Sequence, residues 1–133
     1  VQYAHARIKS VLRMARQEDG VAAAFGKSPT AEQLAMLTHP TETELLRLMA
    51  AWPRSVEAAA AAYEPHRIAF YLQELAASFH SLWNHGNVDI TLRFIQKDAS
   101  DVTAARLAMV RACAYVIASG LAVLGVEPME EMR

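Results

Sequence analysis

A chain of 133 residues with a formal net charge of −1 is long enough to close one hydrophobic core and too nearly neutral to be a strongly basic, histone-like nucleic-acid binder. With 53% apolar residues and only five Gly and five Pro, a helical globular domain is favoured over disorder. A lone cysteine, Cys113, excludes a disulfide framework or a Cys-based zinc site, and no uninterrupted apolar run approaches the roughly 18–20 residues that span a bilayer. No signal peptide is recognisable either, so the composition fits a soluble cytoplasmic protein with no membrane partner.

The opening stretch, VQYAHARIKSVLRMARQ, has no initiator Met and starts as if in mid-helix, as in a chain cut from something longer. Ala4, Ile8, Val11, Leu12 and Ala15 recur at steps of three and four, which predicts a helix from about Val1 to Glu18. Lys9, Arg13 and Arg16 fall on a second face of it, and Tyr3 and Arg7, one turn apart, on a third. No carboxylate precedes Glu18, so these cations have no partner within the segment. Asp19-Gly20 stops the helix. Residues 21–37, with Gly26 and Pro29, read as an irregular loop carrying one helical turn over Ala31–Leu37.

Thr41 and Glu44 have capping-box spacing, which predicts a second helix starting at Thr41 with Leu45, Leu46, Leu48 and Met49 buried. It should end near Trp52, because Pro53 disfavours helical dihedrals in the residue before it, and Trp52 reads as a packing plug. Pro53 and Pro65 each suit the first position of a further helix. The second of these, PHRIAFYLQELAASFHSLWN, places Ile68, Leu72, Leu75, Phe79 and Leu82 on one seam. A polar loop follows, and Ser100, with Asp101 in the first turn, is the expected cap of the last helix. Leu107, Val110, Ala114, Ile117, Leu121 and Leu124 form its seam, and Gly125 its C-terminal stop. The pattern predicts one all-α domain over 1–133, a bundle of about five helices, ending in the short tail VEPMEEMR.

Catalytic constellations are missing from the sequence. There is no Gly-rich phosphate loop, no G-x-S-x-G elbow and no H-E-x-x-H. His5, His39, His66, His80 and His85 include no pair at the i, i+4 spacing of a helical metal site, and a dyad at Glu130 and Glu131 would be solvated. What remains is a surface that could bind: Tyr3 with Arg7, the basic stripe including Arg13, and the aromatic cluster Phe79–His80–Trp83. Unpaired RNA bases are recognised by aromatic stacking, Arg planes and nearby cations, and that is this mixture of residue types. Phe79 lies on the seam and reads as core. For Trp83, burial against the last helix and exposure for stacking both stay open. His5 reads as structural, hydrogen-bonded to the polar loop.

Four segments together resemble class I arginyl-tRNA synthetases, in the order that family has them. VQYAHARIKSVLR resembles the family's Q-Y-x-H-x-R entry into its C-terminal helical domain, and AAAAAYEPHRIAFYLQELAASFHSLWN its central helix. ARLAMVRACAYVIASGLAVLGV resembles its terminal helix, and EPMEEM its Pro-x-x-Met ending. The likeness covers nearly the whole chain. It implies an anticodon-binding domain of the DALR fold, the C-terminal part of an arginine–tRNA ligase whose separate catalytic domain uses ATP with Mg. The His-Gly-His and Lys-Met-Ser signatures of that catalytic domain are not in this sequence. The implied partners are the anticodon loop of tRNA for arginine and the catalytic domain of the same parent chain, not DNA.

Arginine codons all carry G in the middle, so the middle anticodon base is always C and is the one the domain most needs to read. By position in the family's motifs, Trp83 and Met132 would help enclose the anticodon bases, while Tyr3 and Arg7 would stack and contact phosphate or base. Two departures stand out. Leu82-Trp83 occupies a position where the family often has Phe-Tyr or Tyr-Tyr, so a Tyr hydroxyl is replaced by an indole. Arg133 extends one residue beyond the closing Met and adds a cation for a phosphate contact. The rival expectation is a helical protein–protein module that ignores RNA.

Overall fold

The seam predicted from Ile68 to Leu82 is the spine of the fold. In a computed structural model describing residues 1–22, 25 and 27–132, these five side chains lie on α5 (His66–Val88), each 1% exposed or less. Burying side chains of this size stabilises the fold by about 1.5–3 kcal/mol each. Helix α5 packs against α3 (Pro40–Ala50), α4 (Trp52–Ala62) and α6 (Ser100–Val123), and α1 (Gln2–Gln17) packs against α5 and α6. A short α2 (Ala31–Leu34) leans on α6, and a 3-10 turn, Ile90–Leu92, folds back onto α5. The described residues thus form six α-helices and no strand, an all-α bundle as predicted. Gly26 and Arg133 lie outside the described residues.

The differences from expectation are local and concern caps. The capping box sits at α2, where Thr30 accepts from Gln33 N–H and the Gln33 side chain accepts from Thr30 N–H. At α3 the expected Thr41–Glu44 box does not form. Pro40 takes the first helical position, His39 caps by accepting from Thr41 N–H, and Glu44 turns outward to pair with Arg47. Helix α3 stops at Ala50, and Trp52 starts α4, packed on Tyr71 at 5.1 Å between ring centroids. Leu46 and Met49 are only partly buried, and Glu42 takes the third core position of α3 beside Leu45 and Leu48. Ser100 is the first residue inside α6 rather than its cap, which is Ala99.

Helix α6 supplies the other half of the core through Leu107, Val110, Ala114, Ile117 and Leu121, with Leu124 half-buried at its end. Among the described residues it is the one helix long and apolar enough, by length and composition, to cross a membrane; half of that stretch is buried inside the bundle. At its C-terminus Gly125 adopts φ +72°, a left-handed conformation that favours glycine, and Val126 N–H reaches back to Leu121 O at 2.9 Å. This turn sends the tail back across the bundle towards α1.

Candidate nucleic-acid interface

Helix α1 presents three faces, each with a different partner. Ala4, Ile8, Val11, Leu12 and Ala15 are buried in the core. Tyr3 and Arg7 point towards the end of α5, where the guanidinium carbon of Arg7 lies 4.4 Å from the Tyr3 ring centroid and 4.7 Å from that of Trp83. Arg7 also donates a hydrogen bond to the Tyr3 hydroxyl. Tyr3 in turn stacks on His80, with centroids 5.6 Å apart and planes 29° from parallel. The result is a file of planar groups, His80, Tyr3, Arg7 and Trp83, held together by cation–π and stacking contacts.

Trp83 is neither buried against the last helix nor fully exposed, the two readings left open from sequence. It is half-buried, backed by Phe94 at 6.0 Å and faced by Arg7. Phe79 is fully buried beneath this cluster, stacked on Phe94. Phe94 can reach the spot because the chain folds back tightly after α5. At Gly86 a Cβ would come within 3.4 Å of Leu92 O, so a glycine there suits the close approach. Arg106 of α6 then pins the segment, donating to the carbonyl oxygens of Thr91 at 2.7 Å and Arg93 at 3.0 Å. Its Nε–H donates to the buried carboxylate of Glu42 at 3.2 Å. A pair of charges deep in the bundle therefore props the wall behind Trp83.

The third face of α1 meets the tail, and this differs from expectation. Two of the four cations of α1 have carboxylate partners after all, and these come from the far end of the chain. Lys9 pairs with Glu130 at 3.2 Å and Arg13 with Glu131 at 3.9 Å, while Arg13 also donates to Glu130 O. Glu130 and Glu131 are thus ion-paired rather than simply solvated. Arg16 leaves the stripe and lies over Phe25, 5.1 Å from its centroid. His5 is structural as expected, being 2% exposed, but its partner is Met129 O at 2.7 Å rather than the polar loop.

All five residues singled out from the sequence, Tyr3, Arg7, Arg13, Trp83 and Met132, line one open cleft of about 460 Å³, with Glu131 on its rim. A second, mainly apolar cavity of about 280 Å³ lies nearby, with Trp83 in its lining together with Met14, Asn87, Arg93 and Ile95. His80, grouped with Trp83 from sequence at three residues' distance on one helix, stacks on Tyr3. Two contributors were missed from sequence, Phe94 as the backing of Trp83 and Glu131 as a rim carboxylate, and neither carries a local signal.

Electrostatically the cleft mixes fixed cations with a neutral imidazole. Burial, reinforced by the neighbouring Arg7 charge, pulls the pKa of His80 below its usual value. Cys113 is fully buried away from the cleft, and that burial pushes its thiol up to about 12, which leaves it unsuited to nucleophilic chemistry. Among the described residues no group of His, Cys, Asp and Glu is arranged to hold a metal ion. The arrangement can stack planar groups and neutralise phosphates; it offers no acid–base pair.

Comparison with known proteins agrees with this geometry. The chain is 59% identical over its whole length to the arginine–tRNA ligase of Parvibaculum lavamentivorans, covering 23% of that protein. It is 53% identical over its whole length to the arginine–tRNA ligase of Cereibacter sphaeroides strain KD131, covering 22%, and 53% identical to that of Rhodospirillum rubrum, covering 23%. The chain thus spans less than a quarter of the length of the curated relatives it matches. The family model described as the DALR anticodon binding domain matches residues 1–132, from the first turn of α1 to the Met in the cleft. With helical bundle, aromatic–cationic cleft and full-length match in agreement, the chain belongs to the DALR anticodon-binding domain family.

Proposed function

We propose that this chain reads the anticodon loop of tRNA for arginine, as the C-terminal domain of an arginine–tRNA ligase. The observation that carries the reading is the cleft itself. Arg7 bridges Tyr3 and Trp83, and Arg13 and Met132 line the same opening. A splayed base finds there a half-buried indole and an exposed phenol to stack on and a flexible thioether to close over it, with guanidinium groups at hand for phosphate or base edge. Tyr3 is the more exposed ring and is engaged by His80 and Arg7, while Trp83 is half-buried against Arg7 and Phe94, so the two rings together form the stacking platform. The relatives' name and the family match support tRNA as the partner. Attachment of arginine, with ATP and Mg, would fall to a catalytic domain outside these residues; nothing among those described is arranged to take a metal.

The test is a titration of the chain with an anticodon stem-loop carrying C in the middle position, beside a matched stem-loop with that base changed, followed by Trp fluorescence at low salt. Preference for C by several-fold supports anticodon reading. Equal binding reduces the activity to phosphate attraction. Absence of binding together with salt-insensitive capture of a protein partner would replace the reading with the interaction-module alternative, which neither the family match nor the cleft favours.

A further inference from the structure

The tail is attached to α1 by a regular set of polar contacts. Gln2 reads two of its backbone groups at once: its side-chain amide donates to Glu127 O at 2.9 Å, and its side-chain oxygen accepts from Met129 N–H at 2.8 Å. These two bonds bracket Pro128, the one tail residue with no N–H to satisfy. His5 Nδ1 reaches Met129 O at 2.7 Å; a carbonyl can only accept, so the ring proton sits on Nδ1. Lys9 and Arg13 continue the line to Glu130 and Glu131.

The order of contacts defines a track. Gln2, His5, Lys9 and Arg13 follow one another at steps of three and four along one face of α1, and the tail residues they hold follow in the same order. Their spacing matches. The rise from Gln2 to Arg13 is about 16 Å along a helix, and the extended chain from Glu127 to Glu131 covers about 13 Å. No tail residue from Glu127 to Met132 belongs to the buried core, and Met129 and Met132 remain nearly half exposed. Polar contacts to α1, rather than apolar burial, therefore hold the tail.

Neither Gln2 nor His5 lines the cleft, whereas Met132 does. We infer that Gln2 and His5 are positioning residues of the RNA cleft: they clamp the tail to α1 and so place Met132 beside Trp83. The opening motif then divides by face. Tyr3 and Arg7 build the cleft, and Gln2 and His5 build the clamp that closes it. This inference rests on the anticodon-reading proposal for its effect on RNA, but the clamp itself can be tested without RNA.

The experiment uses the full chain, the same chain shortened to end at Val126, and the variants Gln2→Ala, His5→Leu and His5→Asn. Two readouts are taken: the ¹³C-methyl NMR signal of Met132, shifted by the Trp83 ring current when the tail is docked, and stem-loop affinity. Each net hydrogen bond is worth about two- to tenfold in a docking equilibrium, so Gln2→Ala should weaken RNA binding about 5-fold or more and move the Met132 methyl towards its random-coil position. In the shortened chain the same substitution should change affinity by less than about 2-fold, because its partner is gone. His5→Asn, which keeps a donor near the Nδ1 position, should retain more of both signals than His5→Leu. His5 is buried and its variants could lose the fold, which circular dichroism checks; Gln2 is partly exposed and carries the test if they do. An unmoved Met132 methyl in Gln2→Ala overturns the clamp, as does an equal loss of affinity in long and shortened chains. If the unaltered chain binds no stem-loop, the anticodon proposal fails, and the methyl signal still decides the clamp.

Discussion

Replacing Arg106 with Met should remove a large part of the stability of this domain. Glu42 is 1% exposed and Arg106 6%, so neither charge can turn to water without moving the helices that carry them. The substitution leaves Glu42 alone in the core, and breaking a buried pair from one side costs about 3–5 kcal/mol. It also strips the Thr91 and Arg93 carbonyls of a donor. Both belong to exposed residues and can recover water, so they add no more than about 1 kcal/mol together. The sum is about 3–6 kcal/mol, against a total of roughly 7–20 kcal/mol for a chain of this length. Arg106→Met should therefore stay folded at 25 °C and melt about 9–30 °C lower. The double variant Glu42→Leu/Arg106→Met removes both charges together and should recover at least about 2 kcal/mol of the summed losses. Urea unfolding at constant slope, with calorimetry, measures all four corners of the cycle. A loss below about 1 kcal/mol for Arg106→Met, or a coupling within about 0.5 kcal/mol of zero, would refute the reasoning.

Three further outcomes are expected. Trp83→Ala should weaken stem-loop binding by about 5–150-fold, the loss of one stacked base, while leaving a cooperative melt; an unfolded variant would show that Trp83 is core. Glu130→Gln with Glu131→Gln frees Lys9 and Arg13, so binding at low salt should tighten, and the logarithmic salt slope should steepen by up to about 1.4, or about 0.7 per phosphate contact. An unchanged slope would mean that the two cations do not meet RNA. His80, whose pKa is lowered from 6.5 first by burial and then by Arg7, binds protons more readily in the unfolded chain. Its contribution to stability is therefore complete above about pH 6.5 and is lost as the pH falls through the folded-state pKa. His80→Gln should flatten that part of the stability profile between pH 7.5 and 5; coincident profiles would exclude His80 as the cause.

Most of the bundle could be read from apolar spacing, because the seams of α1, α5 and α6 repeat regularly over several turns. Helix starts were less legible. Thr41 and Thr30 each have box spacing, but α3 starts at Pro40 and so puts Thr41 inside the helix, leaving the box at Thr30 as the one that forms. The site residues were found by type and by likeness to a family; their convergence was not legible. Tyr3 and Met132 are nearly a whole chain apart, and nothing local says that the tail returns to α1. The same holds for Glu42 and Arg106. Each is a charge among residues spaced as core, Glu42 with Leu45 and Leu48, Arg106 with Val110 and Cys113, which signals that some partner exists. Which partner depends on how α3 meets α6, and that is tertiary information. The basic stripe was misjudged for this reason, since charge balance was counted along the helix while its counter-charges arrive through space.

The docking of the tail also fixes an order of manufacture. The contacts of Gln2 with the tail join residues 125 and 127 apart in sequence, so they cannot form until the tail has followed all six helices out of the ribosome. A ribosome adding about 5–20 residues per second has completed α6 at Val123 roughly 0.5–2 s before Met132 exists. During that interval Lys9 and Arg13 lack their carboxylate partners, and the nascent domain presents a bare cationic helix to surrounding RNA. A chain halted after α6 would keep that exposed state for good, folded but without its charge shield. Such a product would keep Tyr3, Arg7 and Trp83 but have no Met132 in the cleft, and Lys9 and Arg13 beside it would lack the tail carboxylates.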